Sequence, residues 1–211
     1  MKAILYFFSG TGNTRLCANY LDSFLSKEGV QTDVFEYPSS STTPNPAIYD
    51  IIGIGYPIHA FNAPQPVIRF AKALPKAKGK RYFIFKVSGE PFWPNKASSH
   101  HLDRIMRKKG YALLLERHFL MPYNIIFRYQ DELQKQMLLY LKPLTAIMAK
   151  QLASEERQKV HFNPLIVAIS FLFRIEWLAP KINSVFLHSK RKFCTQCMVC
   201  VKNCPTKALR L

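Results

Sequence analysis

The sequence predicts an α/β fold, a doubly wound parallel sheet of five strands with helices on both faces. Three observations predict it. Short apolar runs of strand length alternate with stretches of helical periodicity. The central runs, "YDIIGIGYPI" and "RYFIFKVSG", are apolar almost throughout, as strands covered on both faces are. The 211 residues are 48% hydrophobic and 13% aromatic, ample for a packed core.

Residues 3–8 ("AILYFF") form the first strand and run into "SGTGNT"; Leu16/Cys17, Tyr20/Leu21 and Phe24/Leu25 then recur at helical spacing. "VQTDVFEYP" reads as the second strand, and "YPSSSTTPNP" (37–46) as a flexible loop. "YDIIGIGYPI" is the third strand. In "NAPQPVIRFAKAL", Val67, Phe70, Ala71 and Leu74 share one helical face behind Asn62 as the expected cap. "RYFIFKVSG" is the fourth strand; Leu102, Ile105 and Met106 suit a helix; "YALLLERHFLMP" is the fifth strand. Beyond Pro122, Leu133, Met137, Leu141, Leu144, Met148 and Leu152 mark a long amphipathic helix that Pro143 is expected to kink or divide. Residues 164–190 are apolar and in part helical, and the basic "SKRK" leads to a cysteine cluster. The organisation expected is an α/β domain over 1–155, a helical connector over 156–192 and a small tail over 193–211.

The formal net charge is +17, unevenly placed: residues 1–103 hold 11 Lys+Arg against 7 Asp+Glu, and 104–211 hold 19 against 6. Such a field favours acidic partners, which are acidic redox proteins, nucleic acid or an anionic membrane surface. No helix-turn-helix or RNA-binding signature accompanies it, which disfavours nucleic acid. The longest apolar run, 164–173, is shorter than the roughly 18 residues of a membrane span. Arg174 and Glu176 interrupt any lipid-facing surface along 164–180, so membrane association is also disfavoured. The first residues lack a small-x-small cleavage site and read as a strand, so a cytoplasmic protein is expected.

The loop Ser9–Thr14 is the first candidate site. Gly10 and Gly12 let backbone approach a ligand, and Ser9, Thr11, Asn13 and Thr14 offer short polar side chains at a helix N-terminus, where exposed N–H groups favour an anion. A P-loop needs Lys after its last Gly, and this chain has Asn13-Thr14; a dinucleotide fingerprint needs a third Gly where this chain has Arg15. Glu36, at the end of the second strand, is therefore a poor ribose-binding acid. A plain strand-to-helix turn without ligand is the remaining alternative.

The other candidate is "FCTQCMVCVKNCP", in which Cys194, Cys197, Cys200 and Cys204-Pro205 have the C-x2-C-x2-C-x3-C-P spacing of half a bacterial ferredoxin. Four cysteines within eleven positions do not read as a disulfide framework. Soft thiolates at this compact spacing favour a 4Fe-4S cluster over zinc, whose knuckles pair across a longer gap.

"FFSGTGNT" after a first strand is similar to the FMN phosphate loop of flavodoxins. The resemblance implies a flavodoxin-like sheet of order 2-1-3-4-5 with FMN at its switch point. It implies also that two later loops flank the flavin: Tyr56, Pro57, Ile58, His59, Ala60 and Phe61, then Ser88, Gly89, Glu90 and Trp93. Phe61 and Trp93 are open between stacking and core roles, and His59, without a Ser or Cys partner, reads as a loop anchor. Taken with the cysteine tail and "MPYNIIFRY" (121–129), the whole chain resembles the flavodoxin-ferredoxin fusion proteins of anaerobic bacteria and archaea. That resemblance implies electron transfer between FMN and a 4Fe-4S cluster and on to an acidic or low-potential redox partner. A flavin-dependent reductase of a small molecule or quinone, and a redox or iron sensor on nucleic acid, are the alternatives. One departure matters: the fusion proteins carry two cysteine runs and this sequence has one. Either a second run is missing from the sequence, or Cys204 joins the other three on one cluster, or Cys17 or another subunit completes it.

Overall fold

The computed structural model describes residues 1–38, 42–123, 128–160, 162–178, 182, 193–204 and 208–209. The middle of the predicted 37–46 loop, part of "MPYNIIFRY" and the "SKRK" run lie outside the described residues. In chain order the elements are β1 (Lys2–Phe7), α1 (Asn13–Lys27), β2 (Gln31–Glu36), β3 (Ile51–Pro57), α2 (Gln65–Ala73), β4 (Lys80–Ser88), α3 (His100–Lys108), β5 (Tyr111–Leu120), α4 (Asp131–Ala153), α5 (Pro164–Leu172) and a short α6 (Val199–Asn203). The sheet is parallel throughout in the order β2-β1-β3-β4-β5, as expected.

Side chains alternate along each strand, so the sheet divides the interior into two cores. Leu5, Phe7, Phe83, Phe85 and Val87 face α1 and α4; Ile4, Ile52, Ile54, Tyr82 and Ile84 face α2 and α3. Each fully buried Leu, Ile or Phe contributes about 1.5–3 kcal/mol of transfer free energy, which is why the apolar runs settle here. Cys17 is one of these core side chains, fully buried, and burial pushes its thiol pKa up.

Two local expectations are corrected. Pro143 does not divide α4, which is helical from Asp131 to Ala153. The carbonyl that loses its donor belongs to Leu139, which is 70% exposed and open to water. Nor does Asn62 cap α2: the N-cap is Pro64, and the Asn62 amide donates instead to the carbonyls of Ala60 (2.8 Å) and Ser170 (2.7 Å). Thus α5 is fastened to the loop after β3. Its own start is regular, with Asn163 Oδ1 accepting from Leu165 N and Pro164 at the first helical position. No described helix is long and apolar enough to cross a membrane.

Candidate cofactor site

In a parallel sheet every strand points the same way, so the loops leaving β1, β3, β4 and β5 meet at one end. They enclose a cavity of about 450 Å³ there, within the size range of small-molecule sites.

The first wall is the loop after β1. Ser9, Gly10, Thr11, Asn13 and Thr14 line the cavity. Gly12 stands behind them at φ 101°, a left-handed conformation suited to glycine, and serves as N-cap of α1 without a capping side chain. Ser9 Oγ supplies that function from three residues back, accepting from Gly12 N (3.1 Å) and Arg15 N (3.4 Å). Asn13 Nδ2 donates to Pro122 O (2.8 Å), tying the loop to the one after β5. The remaining amide donors of Gly10, Thr11, Asn13 and Thr14 and the positive end of α1 favour an anion at this wall. Glu36 is unavailable to a ribose: Arg15 donates to both its oxygens, each at 2.9 Å.

The second wall is the loop after β3, where Pro57, Ile58, His59, Ala60 and Phe61 line the cavity. His59 and Asn62 exchange backbone hydrogen bonds (3.0 and 2.8 Å), closing a tight turn with Ala60 at φ 40° and Phe61 at φ 59°. Left-handed backbone at a bulky residue persists only where its surroundings enforce it. Here Phe173 sets its ring edge-on to Phe61 at 4.9 Å, while Ser170 Oγ and Arg174 Nε both donate to Asn62 Oδ1. His59 is anchored by its backbone as expected, and burial lowers its pKa. Tyr56 does not reach the cavity but is fully buried in the α2/α3 core.

The third wall follows β4. Ser88, Gly89 and Glu90 line it, together with Val87 and Asn95, which the sequence did not single out. A Cβ at Gly89 would lie 2.4 Å from the Tyr123 ring, so only glycine lets that ring close the cavity. Trp93 opens the 3-10 turn Trp93–Ala97, is 50% exposed and is not among the lining residues. Met121, Pro122 and Tyr123 complete the rim. Their signal was topological: a fifth parallel strand delivers its exit loop to the same end as the others.

Beneath the third wall lies a polar group the sequence reading missed. His118 Nε2 and Ser88 Oγ are 2.7 Å apart, Asn95 Nδ2 donates to Glu90 O at 3.0 Å, and Lys86 Nζ, 2% exposed, donates to Asn95 O (3.2 Å) and Glu116 Oε1 (3.0 Å). Ser99 Oγ donates to the other oxygen of Glu116. Burial first, and then the Lys86 charge, push His118 down to about 4. The available signal was a lysine on the inward side of "FIFKVSG".

The cysteines are not brought together. Cys194, Cys197 and Cys200 are exposed, Cys204 is half-buried and its sulfur accepts from Ala208 N, and no three His, Cys, Asp or Glu side chains among the described residues form a group that could hold a metal ion. Backbone and Thr195 hydrogen bonds lower the Cys197 pKa, which suits a thiolate ligand. The donor chemistry therefore fits an iron-sulfur cluster, while the spatial grouping does not. Cys17, in the core, is unavailable to complete one.

No family model and no curated protein matches the chain. Solved structures do. Flavodoxin 2 of Bacillus cereus, in its oxidised form, matches with a TM-score of 0.51 at 14% identity, over 72% of this chain and 99% of its own. The general stress protein 14 of Treponema denticola, solved in complex with FMN, matches with 0.51 at 10% identity, over 73% and 98%. The fold is that of the flavodoxins. In a flavodoxin fold the cavity at the switch point between β1 and β3 is where a ligand belongs, and this chain's cavity lies there. The matched share leaves more than a quarter of the chain, so the likeness does not extend over the whole length.

Proposed function

We propose that the chain is an electron-transfer flavoprotein that holds FMN in the switch-point cavity. The observation that carries this reading is the convergence of an anion-favouring loop at the N-terminus of α1 with two further loops around one cavity of ligand size. The phosphate is assigned to the backbone of Gly10–Thr14 and the ring system to the walls at 57–61, 88–90 and 121–123. Bound FMN supplies reversible one- and two-electron transfer. The chain's own residues fix the cofactor's place: Ser9 holds the loop in shape, Asn13 fastens it to Pro122, Phe61 and Tyr123 exclude water, and Ser88–His118 offers a half-buried hydrogen-bonding pair at the floor.

We further propose that Cys194, Cys197, Cys200 and Cys204 are ligands of a 4Fe-4S cluster. Their spacing and soft donors support this, and the fourth cysteine joins the same cluster once the thiols gather. An acidic redox protein is the partner class that the basic second half favours. The experiment is an anaerobic purification with FMN, iron and sulfide counted on one sample, beside the Cys197→Ser variant. One FMN and about four irons per chain are expected, with iron lost and FMN kept in the variant. A chain that takes up no FMN sinks the first proposal; one that takes up no iron even on reconstitution sinks the second.

A further inference from the structure

We propose that α5 and the turn after it dock the protein on an anionic phospholipid surface, lying in the interface with Leu165, Leu172 and Ile175 toward the lipid. The proposal does not depend on the cofactor reading. From Pro164 to Phe173 the chain has no charged residue and, apart from Ser170, is apolar. One side is accounted for: Ser170, 2% exposed, is pinned to Asn62, and Phe173 rests on Phe61. The opposite side is not. Leu165 is 65% exposed, Phe171 63%, Leu172 70%, Ile175 73% and Leu178 52%. The spacing 165, 168, 172, 175 is a single helical stripe, so these exposures form one face. A contiguous apolar face of this kind marks an interaction site.

Charge selects the occupant. No Asp or Glu occurs between Arg157 and Ile175, and Glu176 is the one acidic residue of 157–178 against Arg157, Lys159 and Arg174, so the segment is net cationic and favours a negative surface. Lys72 and Arg104 are exposed beside it: with Arg174 they form the cationic surroundings of His101, whose ring lies 5.9 Å from Trp177. An apolar face without hydrogen-bonding groups, rimmed by cations, has the character of an interfacial helix. Arg174, which in the sequence interrupts the apolar run, turns inward: it donates to Asn62 and lies over the Phe171 and Trp177 rings. The nine residues of α5 span roughly 14 Å, too short to cross a bilayer core of about 30 Å, so the helix lies flat.

The test is flotation of the full chain with vesicles of phosphatidylcholine plus phosphatidylglycerol, against phosphatidylcholine alone, at low and high salt. Binding to the anionic vesicles, weakened by salt and reduced at least about tenfold in Leu172→Asp/Ile175→Asp, is expected. Both side chains are exposed, so the melting temperature should be kept; Leu165→Asp, at the far end of the stripe, should weaken binding in the same sense. Absence of binding to anionic vesicles overturns the proposal, and so does binding that these substitutions leave unchanged. Self-association of the wild-type chain that the substitutions abolish, without vesicle binding, also overturns it, assigning the face to a second copy instead.

Discussion

Lys86 sits in a strand whose neighbours are apolar, with its ammonium held by Glu116 and by the carbonyl of Asn95. Burial lowers its pKa and the Glu116 charge opposes that, so the pair stands as a desolvated ion pair. Removing one partner leaves the other charge buried, which costs about 3–5 kcal/mol, whereas replacing both by apolar residues can be neutral. Lys86→Met is therefore expected to lower stability in urea unfolding by that amount, and Lys86→Met/Glu116→Leu to recover most of it. Full recovery would mark the pair as a device for placing Asn95 in the cavity wall. His118 carries a second prediction at this scale. Its folded-state value of about 4 lies below the ordinary 6.5, as does that of His101. The unfolded chain thus binds protons that the folded one refuses, so stability is intact above pH 6.5 and falls as pH drops toward 4. Thermal melting across that range should show the decline, and His118→Gln should reduce it.

The loop after β3 and α5 act as one element although more than 100 residues separate them. Asn62 has left-handed Ala60 and Phe61 just before it and takes up Ser170 and Arg174. Asn62→Ala removes those partners and strands the buried Ser170 carbonyl and hydroxyl, a loss of about 1–3 kcal/mol. Faster hydrogen exchange over 164–178 and over 57–63 together is expected; exchange that rises in only one of them would show that the two are not coupled. The sequence could not reveal this clamp. "NAP" before an amphipathic helix has the local form of a cap, and the residue that captured Asn62 lies 108 positions away. Pro143 failed as a breaker for a related reason, since its consequence depends on which side of α4 faces water.

At the scale of the molecule, what was legible followed from periodicity. Buried strands and amphipathic helices announce themselves in short windows, and the loop Ser9–Thr14 carries its conformation in its own glycines. The rim residues Met121–Tyr123 and the polar floor under Ser88 come together only through the sheet order. The tail shows the opposite case: the cysteine spacing is plain in the sequence, yet no three of the thiols gather into a metal-binding group among the described residues. The flavodoxin fold and the cavity at its switch point are thus the firm centre of the account. The measurement that tests it most directly is a titration of the cofactor-free full chain with FMN and, separately, with riboflavin, followed by flavin fluorescence. A saturable one-to-one site is predicted, with FMN bound at least about tenfold more tightly than riboflavin, because only FMN places an anion on the Gly10–Thr14 backbone. No saturable binding, or equal affinity for the two flavins, would contradict it.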